Sequence, residues 1–323
     1  MKILFHANTI NYRGTTVAIT DYAKYNQEIL GNESIIAYCK TNGTERDMGN
    51  EQAVIEELSK EFNVVGYRAG DLEKKIDDNH IDLAYFINSG QSEFLPTNCK
   101  TAVHAVFQFN QPHGDRYAYI SEWLSQKMSG GTIPFVPHIV QLPNTTDNYR
   151  GAFNIRADQK VIGRIGGYFT FDIQFVKNYI KSLVNSTDEY VFLFAGTEPF
   201  MHHPNVRFIN EFHNPLKKAK FINTCDAMIY ARSIGESFGL AIGEFSIKNK
   251  PIICTDRPNM DDHMHKMILK DNALWYSTEE ECYQIMKTFD KEENKNKDWN
   301  MYKDYEPEKV MKIFKEMIDK LMK

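Results

Sequence analysis

The chain has 323 residues, 42% hydrophobic and 25% charged, and a net charge of −5. That length is about two typical domains, each with room for its own core, and the apolar content excludes a disordered chain. No apolar run approaches the roughly 20 residues of a membrane span, and the acidic balance gives no general attraction to nucleic acid or anionic lipid.

The opening KILFHA (2–7) is too short for a signal-peptide core and predicts a strand. Further strands are expected at SIIAYC (34–39), NVVGY (63–67), DLAYFIN (82–88), TAVHAVF (101–107) and YAYIS (117–121), with helices near 15–30 and 51–62. Val17, Ile19, Tyr22, Ala23 and Ile29 give the first helix one apolar face. After FVPHIVQLP (135–143) the polar, turn-prone stretch NTTDNYRGA marks a hinge near 143–152.

The alternation then restarts. Strands are expected at VIGRIG (161–166), YVFLFAG (190–196), VRFIN (206–210), AMIYA (227–231), PIICT (251–255) and ALWYS (273–277). Helices are expected at 172–185, 215–224 and 238–249. KEENKNKD (291–298) reads as a solvated connector. The last segment carries Val310, Ile313, Phe314, Met317 and Leu321 on one face with lysines opposite, after Pro307 at a helix start. Such a helix suits a membrane surface or the body of the protein, and packing on the body is expected.

These patterns give an α/β protein of two doubly wound, Rossmann-like domains, whose strand C-terminal ends and ligand site face an interdomain cleft. The expected division is 1–147, 148–300 and a C-terminal helix over 301–323. Five cysteines, Cys39, Cys99, Cys225, Cys254 and Cys282, are odd in number and form no C-x-x-C pair. Neither a disulfide framework nor a thiolate zinc site is indicated, which fits a reducing, cytoplasmic setting. The Asn-x-Ser/Thr sites at Asn32, Asn42, Asn144 and Asn185 then mean little, because glycosylation requires secretion.

The most informative stretch is RSIGESFGLAIGEFSIKNKPIIC (232–254), where Glu236 and Glu244 stand eight apart. A strand runs into a loop, and Ser237 is expected to cap a helix that begins between Ser237 and Gly239. The first amides of that helix suit a phosphate, and Gly239 removes a side chain there. Eight positions leave an offset of about 80°, so Glu244 flanks the pocket that Glu236 faces. Two carboxylates beside an anion repel it unless they face hydroxyl groups, which a sugar and a ribose supply. Standing alone, each glutamate is more readily a surface carboxylate.

Glu236-x7-Glu244 around S-F-G-L, preceded by C-D-A-M-I-Y-A and followed by K-N-K-P-I-I-C, resembles the E-x7-E signature of retaining glycosyltransferases of the two-Rossmann-domain (GT-B) architecture, close to family 4. VIGRIGGY, FLFAG and HPNVRFI extend the resemblance over most of the C-terminal half, and it continues more weakly over the N-terminal half. It implies Glu236 near the donor sugar hydroxyls as the catalytic carboxylate, the amides of Phe238, Gly239 and Leu240 near the diphosphate, and Glu244 on the nucleotide ribose. The family carries a Gly-Arg after the first strand of this domain and a Lys about five residues on. Here the stretch from Gly166 and Gly167 through Tyr168, Phe169, Thr170 and Phe171 to Asp172 holds neither cation. Arg164 and Arg232 are the remaining candidates for the diphosphate, although each equally suits a structural ion pair.

In the first half, Gly14 and Thr15 open a helix after the first strand, where the family's glycine loop faces the diphosphate. His104, on a strand, is expected to be a satisfied core residue, and His113 beyond it is a minor candidate at the cleft. Asp261, Asp262, His263 and His265, and the pair His202 and His203, lack the spacing of a metal signature and read as loop residues. There is no Walker loop, no Gly-x-Ser-x-Gly and no G-x-G-x-x-G after the first strand.

The expected activity is transfer of a sugar from a nucleotide-diphosphate sugar to an acceptor hydroxyl with retention, needing no cofactor and no metal. The acceptor class, whether glycan, lipid or protein, is open, as are donor base and sugar. Loops near Glu198, Pro199 and Phe200 and over 210–214 would read the base and sugar. The alternatives are a GT-B sugar-nucleotide epimerase, a non-catalytic nucleotide-sugar-binding protein, and a glycoside hydrolase. The hydrolase is disfavoured because both glutamates belong to one phosphate-type pocket.

Overall fold

A computed structural model describes residues 1–41, 49–212, 214–257 and 260–323. The Asn42 site and His213 of the 210–214 loop lie outside the described residues. The chain forms two compact units, one of Met1–Ile139 with Asp304–Lys323, the other of Val140–Lys303.

In the first unit the order is β1 (Lys2–Ala7), α1 (Gly14–Glu28), β2 (Glu33–Thr41), α2 (Gln52–Leu58), β3 (Asn63–Arg68), α3 (Leu72–Asn79), β4 (Leu83–Asn88), β5 (Lys100–Ala105), β6 (Arg116–Tyr119) and α4 (Glu122–Ser129). The strands form one parallel sheet ordered β3-β2-β1-β4-β5-β6. All six residues of β4 are buried, as expected of an inner strand covered on both faces. The connections over 89–99 and 106–115 run between parallel strands without a helix.

The second unit follows the same plan with β7 (Lys160–Ile165), α5 (Gln174–Ser186), β8 (Tyr190–Ala195), β9 (Val206–Ile209), α6 (Pro215–Thr224), β10 (Ala227–Tyr230), β11 (Gly235–Glu236), α7 (Leu240–Ser246), β12 (Ile252–Thr255), β13 (Asp262–His263), α8 (Met264–Leu269), β14 (Leu274–Tyr276), α9 (Glu279–Thr288) and α10 (Lys291–Lys295). Its main sheet, β9-β8-β7-β10-β12-β14, is also parallel. Leaving aside the small β11–β13 pair, both sheets have the order 3-2-1-4-5-6 of a doubly wound dinucleotide-type fold. The order reverses between β1 and β4 in one unit and between β7 and β10 in the other, and ligands of such sheets bind beyond the strand ends there.

The final helix, α11 (Pro307–Leu321), belongs to the first unit. Its buried face includes Val310, Met311, Phe314 and Met317, and the Phe314 ring lies 5.1 to 6.2 Å from those of Tyr85, Tyr22 and Phe5. The expected apolar stripe is thus covered by the protein itself except at Ile313, which is exposed. No helix among the described residues is long and apolar enough to cross a membrane.

Three local expectations change. The helix after Glu236 spans Leu240–Ser246, shorter than 238–249, and its cap is Gly239 at φ 89° with no side-chain bond, so Ser237 does not cap it. Left-handed backbone at that position, with the Tyr302 hydroxyl 3.1 Å from where a Cβ would stand, calls for glycine. Asp262 and His263 form β13 against the catalytic-candidate segment β11 and are not plain loop. The 291–298 stretch contains α10, whose Asp290 cap accepts from the Glu292 and Glu293 amides.

Candidate functional site

Arg164, Arg232 and Glu236 gather at the strand reversal of the second unit. Arg164 is the penultimate residue of β7 and is only 3% exposed. Its guanidinium donates to Thr197 Oγ1, to Thr170 Oγ1 at 2.7 Å and to the Gly167 carbonyl at 3.3 Å, and lies 5.3 Å from the Phe171 ring centroid. Among the described residues no carboxylate pairs with it within 4 Å. Burial pushes its pKa down to about 10, with the nearby Glu236 charge acting the other way. A Cβ on Gly166 would stand 2.5 Å from this guanidinium, so the Gly166-Gly167 pair is the surface on which the buried cation rests.

Glu236 enters from the neighbouring strand. β10 ends at Tyr230, whose hydroxyl donates to Glu236 Oε1 at 3.1 Å, and Arg232 Nη1 meets the same oxygen at 3.0 Å. Burial alone would lower Arg232, yet the Glu236 carboxylate together with Tyr230 and Asp262 outweighs it and holds the guanidinium above its ordinary value. Arg232 is therefore engaged with Glu236, as a structural pair would be, while Arg164 has no carboxylate.

The loops after β7 and β10 are tied together. Asp172 accepts from the Ser233 amide and hydroxyl, each at 2.7 Å, and its own amide donates to the Ala231 carbonyl at 3.0 Å. Beneath Glu236, β11 pairs with β13 through Gly235↔Asp262 and Glu236↔His263. Gly235 has φ 77°, and a Cβ there would collide with the Asp262 carbonyl oxygen. The fully buried His265 ring lies behind this pair, 5.4 Å from the Tyr230 ring, and burial pushes it down to about 4.

Glu244 follows on α7, packed to 4% exposure, and its Oε1 accepts from Lys218 Nζ on α6 at 2.6 Å. Ser237, Phe238, Gly239 and Leu240 form the turn between the two glutamates. Phe238 is buried against Tyr302, whose hydroxyl donates to the Phe238 carbonyl at 3.0 Å. Phe238 thus anchors the turn from below.

The first-unit candidates separate. Gly14 and Thr15 sit at the start of α1, beyond the C-terminal end of β1. His113 lines a hollow of about 710 Å³ with Lys100, Thr101 and Asp115, at the N-terminal ends of β5 and β6. A connection between parallel strands must return to the opposite end of the sheet, which carries His113 away from Gly14 and Thr15. His104 is buried and bonded to the Val136 carbonyl at 2.7 Å and Tyr85 Oη at 2.9 Å. Among the described residues no group of three or more His, Cys, Asp or Glu side chains is arranged to hold a metal.

Sequence reasoning did not single out Tyr230, Thr170, Thr197 or Lys218. Tyr230 was readable only as a strand residue, and the threonines reach Arg164 from loops that only the fold brings together.

Comparison by sequence finds no matching family model and no matching curated protein. Comparison by structure finds the same fold in glycosyltransferases. The chain superposes on a glycosyltransferase from Rickettsia africae with a TM-score of 0.67 at 14% identity, covering 100% of this chain and 98% of that one. Anabaena HepE in complex with UDP and glucose gives a TM-score of 0.69 at 12% identity over 99% of each chain. A Staphylococcus aureus TarM variant in complex with fondaparinux, α-GlcNAc-glycerol and UDP gives 0.68 at 10% identity over 99% of each. At these identities the likeness establishes the two-domain architecture.

Proposed function

We propose that the protein transfers a sugar from a nucleoside-diphosphate sugar to an acceptor hydroxyl, as a retaining enzyme of the family 4 type. The observation that carries this reading is the junction of β7 and β10. There a buried, carboxylate-free guanidinium stands near a carboxylate oriented by Tyr230 and Arg232, on a fold shared with solved proteins that bind UDP.

In this reading the bond between the sugar anomeric carbon and the leaving phosphate oxygen breaks. The acceptor oxygen bonds to that carbon on the same face, and its proton passes to the leaving diphosphate. Arg164 and the amides of Phe238, Gly239 and Leu240 stabilise the developing phosphate charge, a task for which fixed, buried donors are effective. Glu236 holds the sugar hydroxyls, and Glu244 the ribose. The acceptor is bound by the first unit. Guanidinium groups supply the countercharge in this design, so turnover is expected to survive EDTA.

The test is release of nucleotide from a panel of UDP- and GDP-sugars with glycan and lipid-linked acceptors, with the product anomer read by NMR. Glu236→Gln is expected to lower kcat at least ~100-fold, the scale of removing a group that acts in the transition state, while nucleotide affinity stays within a few-fold. Unchanged turnover in that variant would remove Glu236 from the mechanism.

A further inference from the structure

Among the described residues only three Lys, Arg, Asp or Glu are buried: Arg164, Lys218 and Glu244. Two of them form one pair. Lys218 Nζ and Glu244 Oε1 are 2.6 Å apart, with the residues 8% and 4% exposed. Glu244 Oε2 takes no hydrogen bond from any described residue, yet it is not sealed from solvent. A buried carboxylate whose first oxygen is held by an ammonium and whose second is open is a fixed anionic acceptor.

We propose that Lys218 is a positioning residue that makes Glu244 a hydroxyl acceptor, and that it sets the preference for a ribose over a deoxyribose nucleotide. The inference rests on the glycosyl-transfer reading for the identity of the ligand. Lys218 acts through charge and through geometry. Its ammonium sets a positive charge 2.6 Å from Glu244 Oε1, and its grip on that oxygen leaves Oε2 directed to accept. A carboxylate left without such a partner in the interior titrates as high as about 8 to 9, and its protonated form offers a donor where the ribose needs an acceptor.

Among the described residues no other Lys or Arg lies within ion-pair distance of Glu244. α7 packs on β10 and β12, which present Tyr230 and Cys254, both pushed well up by burial and therefore neutral. Tyr302, against Gly239 and Gly243, is a phenol. Lys248, just beyond α7, is bonded to the Pro143 carbonyl at 2.7 Å.

The experiment measures binding of UDP, GDP and ADP, and of their 2′-deoxy forms, to the full chain by calorimetry from about pH 6 to about pH 9. The wild type is expected to prefer one ribonucleotide over its deoxy form by roughly 10-fold or more, the worth of a hydrogen bond to a charged acceptor, with no pH dependence of that ratio. Lys218→Met is expected to lose the preference at the acid end and regain it at the alkaline end, and Lys218→Arg to keep it throughout. Should Lys218→Met not fold, the double variant with Glu244→Gln removes both charges together and is expected to bind without discrimination at every pH.

A folded Lys218→Met with the wild-type ratio at all pH values overturns the inference. So does a double variant that still discriminates, or a wild type that binds a diphosphate but ignores the 2′-hydroxyl. A wild type that binds no nucleoside diphosphate at all overturns the glycosyl-transfer reading, and this inference with it.

Discussion

Replacing Arg164 by Met separates what the residue does for the fold from what it does for the ligand. The guanidinium is held by two threonine hydroxyls and one carbonyl, with no carboxylate within ion-pair distance among the described residues. Its fall from 12.5 to about 10, driven by burial, corresponds to roughly 3 kcal/mol spent on keeping the charge inside. Met removes that cost and still packs on Phe171. The abandoned groups keep partners, because Thr170 Oγ1 donates to the Gly167 carbonyl at 2.9 Å and Thr197 Oγ1 to the Ala195 carbonyl at 3.4 Å. Losing the Arg donors then costs about 1 to 2 kcal/mol. The net is a gain of roughly 1 to 2 kcal/mol, or about 2 to 8 °C in the melting of a unit this size. Calorimetry of Arg164→Met is expected to show that rise together with a nucleotide affinity lowered ~100-fold. A melting temperature that falls with the fold retained would show that the cation is stabilising, and would refute the argument that it is kept for a ligand.

The remaining predictions concern the support under Glu236. His265 is neutral in the fold, its pKa pushed down to about 4 mainly by burial, with His263 acting in the same direction. Below its ordinary value near 6.5 the unfolded chain takes a proton that the folded chain refuses, so stability falls as pH drops from about 6.5 to about 4. His265→Leu is expected to flatten that limb by up to roughly 3 kcal/mol, read by urea unfolding at the two ends of the window. An unchanged limb would assign the acid loss elsewhere. Gly235→Ala forces a side chain onto the Asp262 carbonyl at positive φ and is expected to cost about 2 kcal/mol or more and most of the turnover. Gly151→Ala, where a Cβ meets nothing within 4 Å, is the benign control, and equal effects from the two would contradict the strain argument.

Much of this architecture was legible because both sheets are parallel and buried, which writes strands as short Val-, Ile- and Phe-rich runs. β1 and α6 coincide with their expected limits, α6 because Asn214 caps it and Pro215 opens it. The Thr278–Glu281 capping box and the Ser121 cap were equally present, yet α9 and α4 went unread because their apolar faces are narrow. β11 and β13 are two residues each, too short for any periodicity. The proximity of Glu236 to Arg232 follows from chain spacing. That of Glu244 to Lys218 does not: 26 positions and two strands separate them, and a Lys beside Lys217 on a helix reads as solvent-facing.

The two units share a strand order but not a distribution of charge. All three buried Lys, Arg or Glu side chains among the described residues lie in the second unit, on β7, α6 and α7. The buried ionisable groups of the first unit, such as His6 and His104, are held neutral by burial. Interior charge is costly, and apolar replacements usually stabilise a fold at such positions. Its concentration around one strand reversal argues that this end of the second sheet is kept for an anionic, hydroxyl-rich ligand. Among the described residues the first unit buries no Lys, Arg, Asp or Glu, so no comparable interior charge is maintained there.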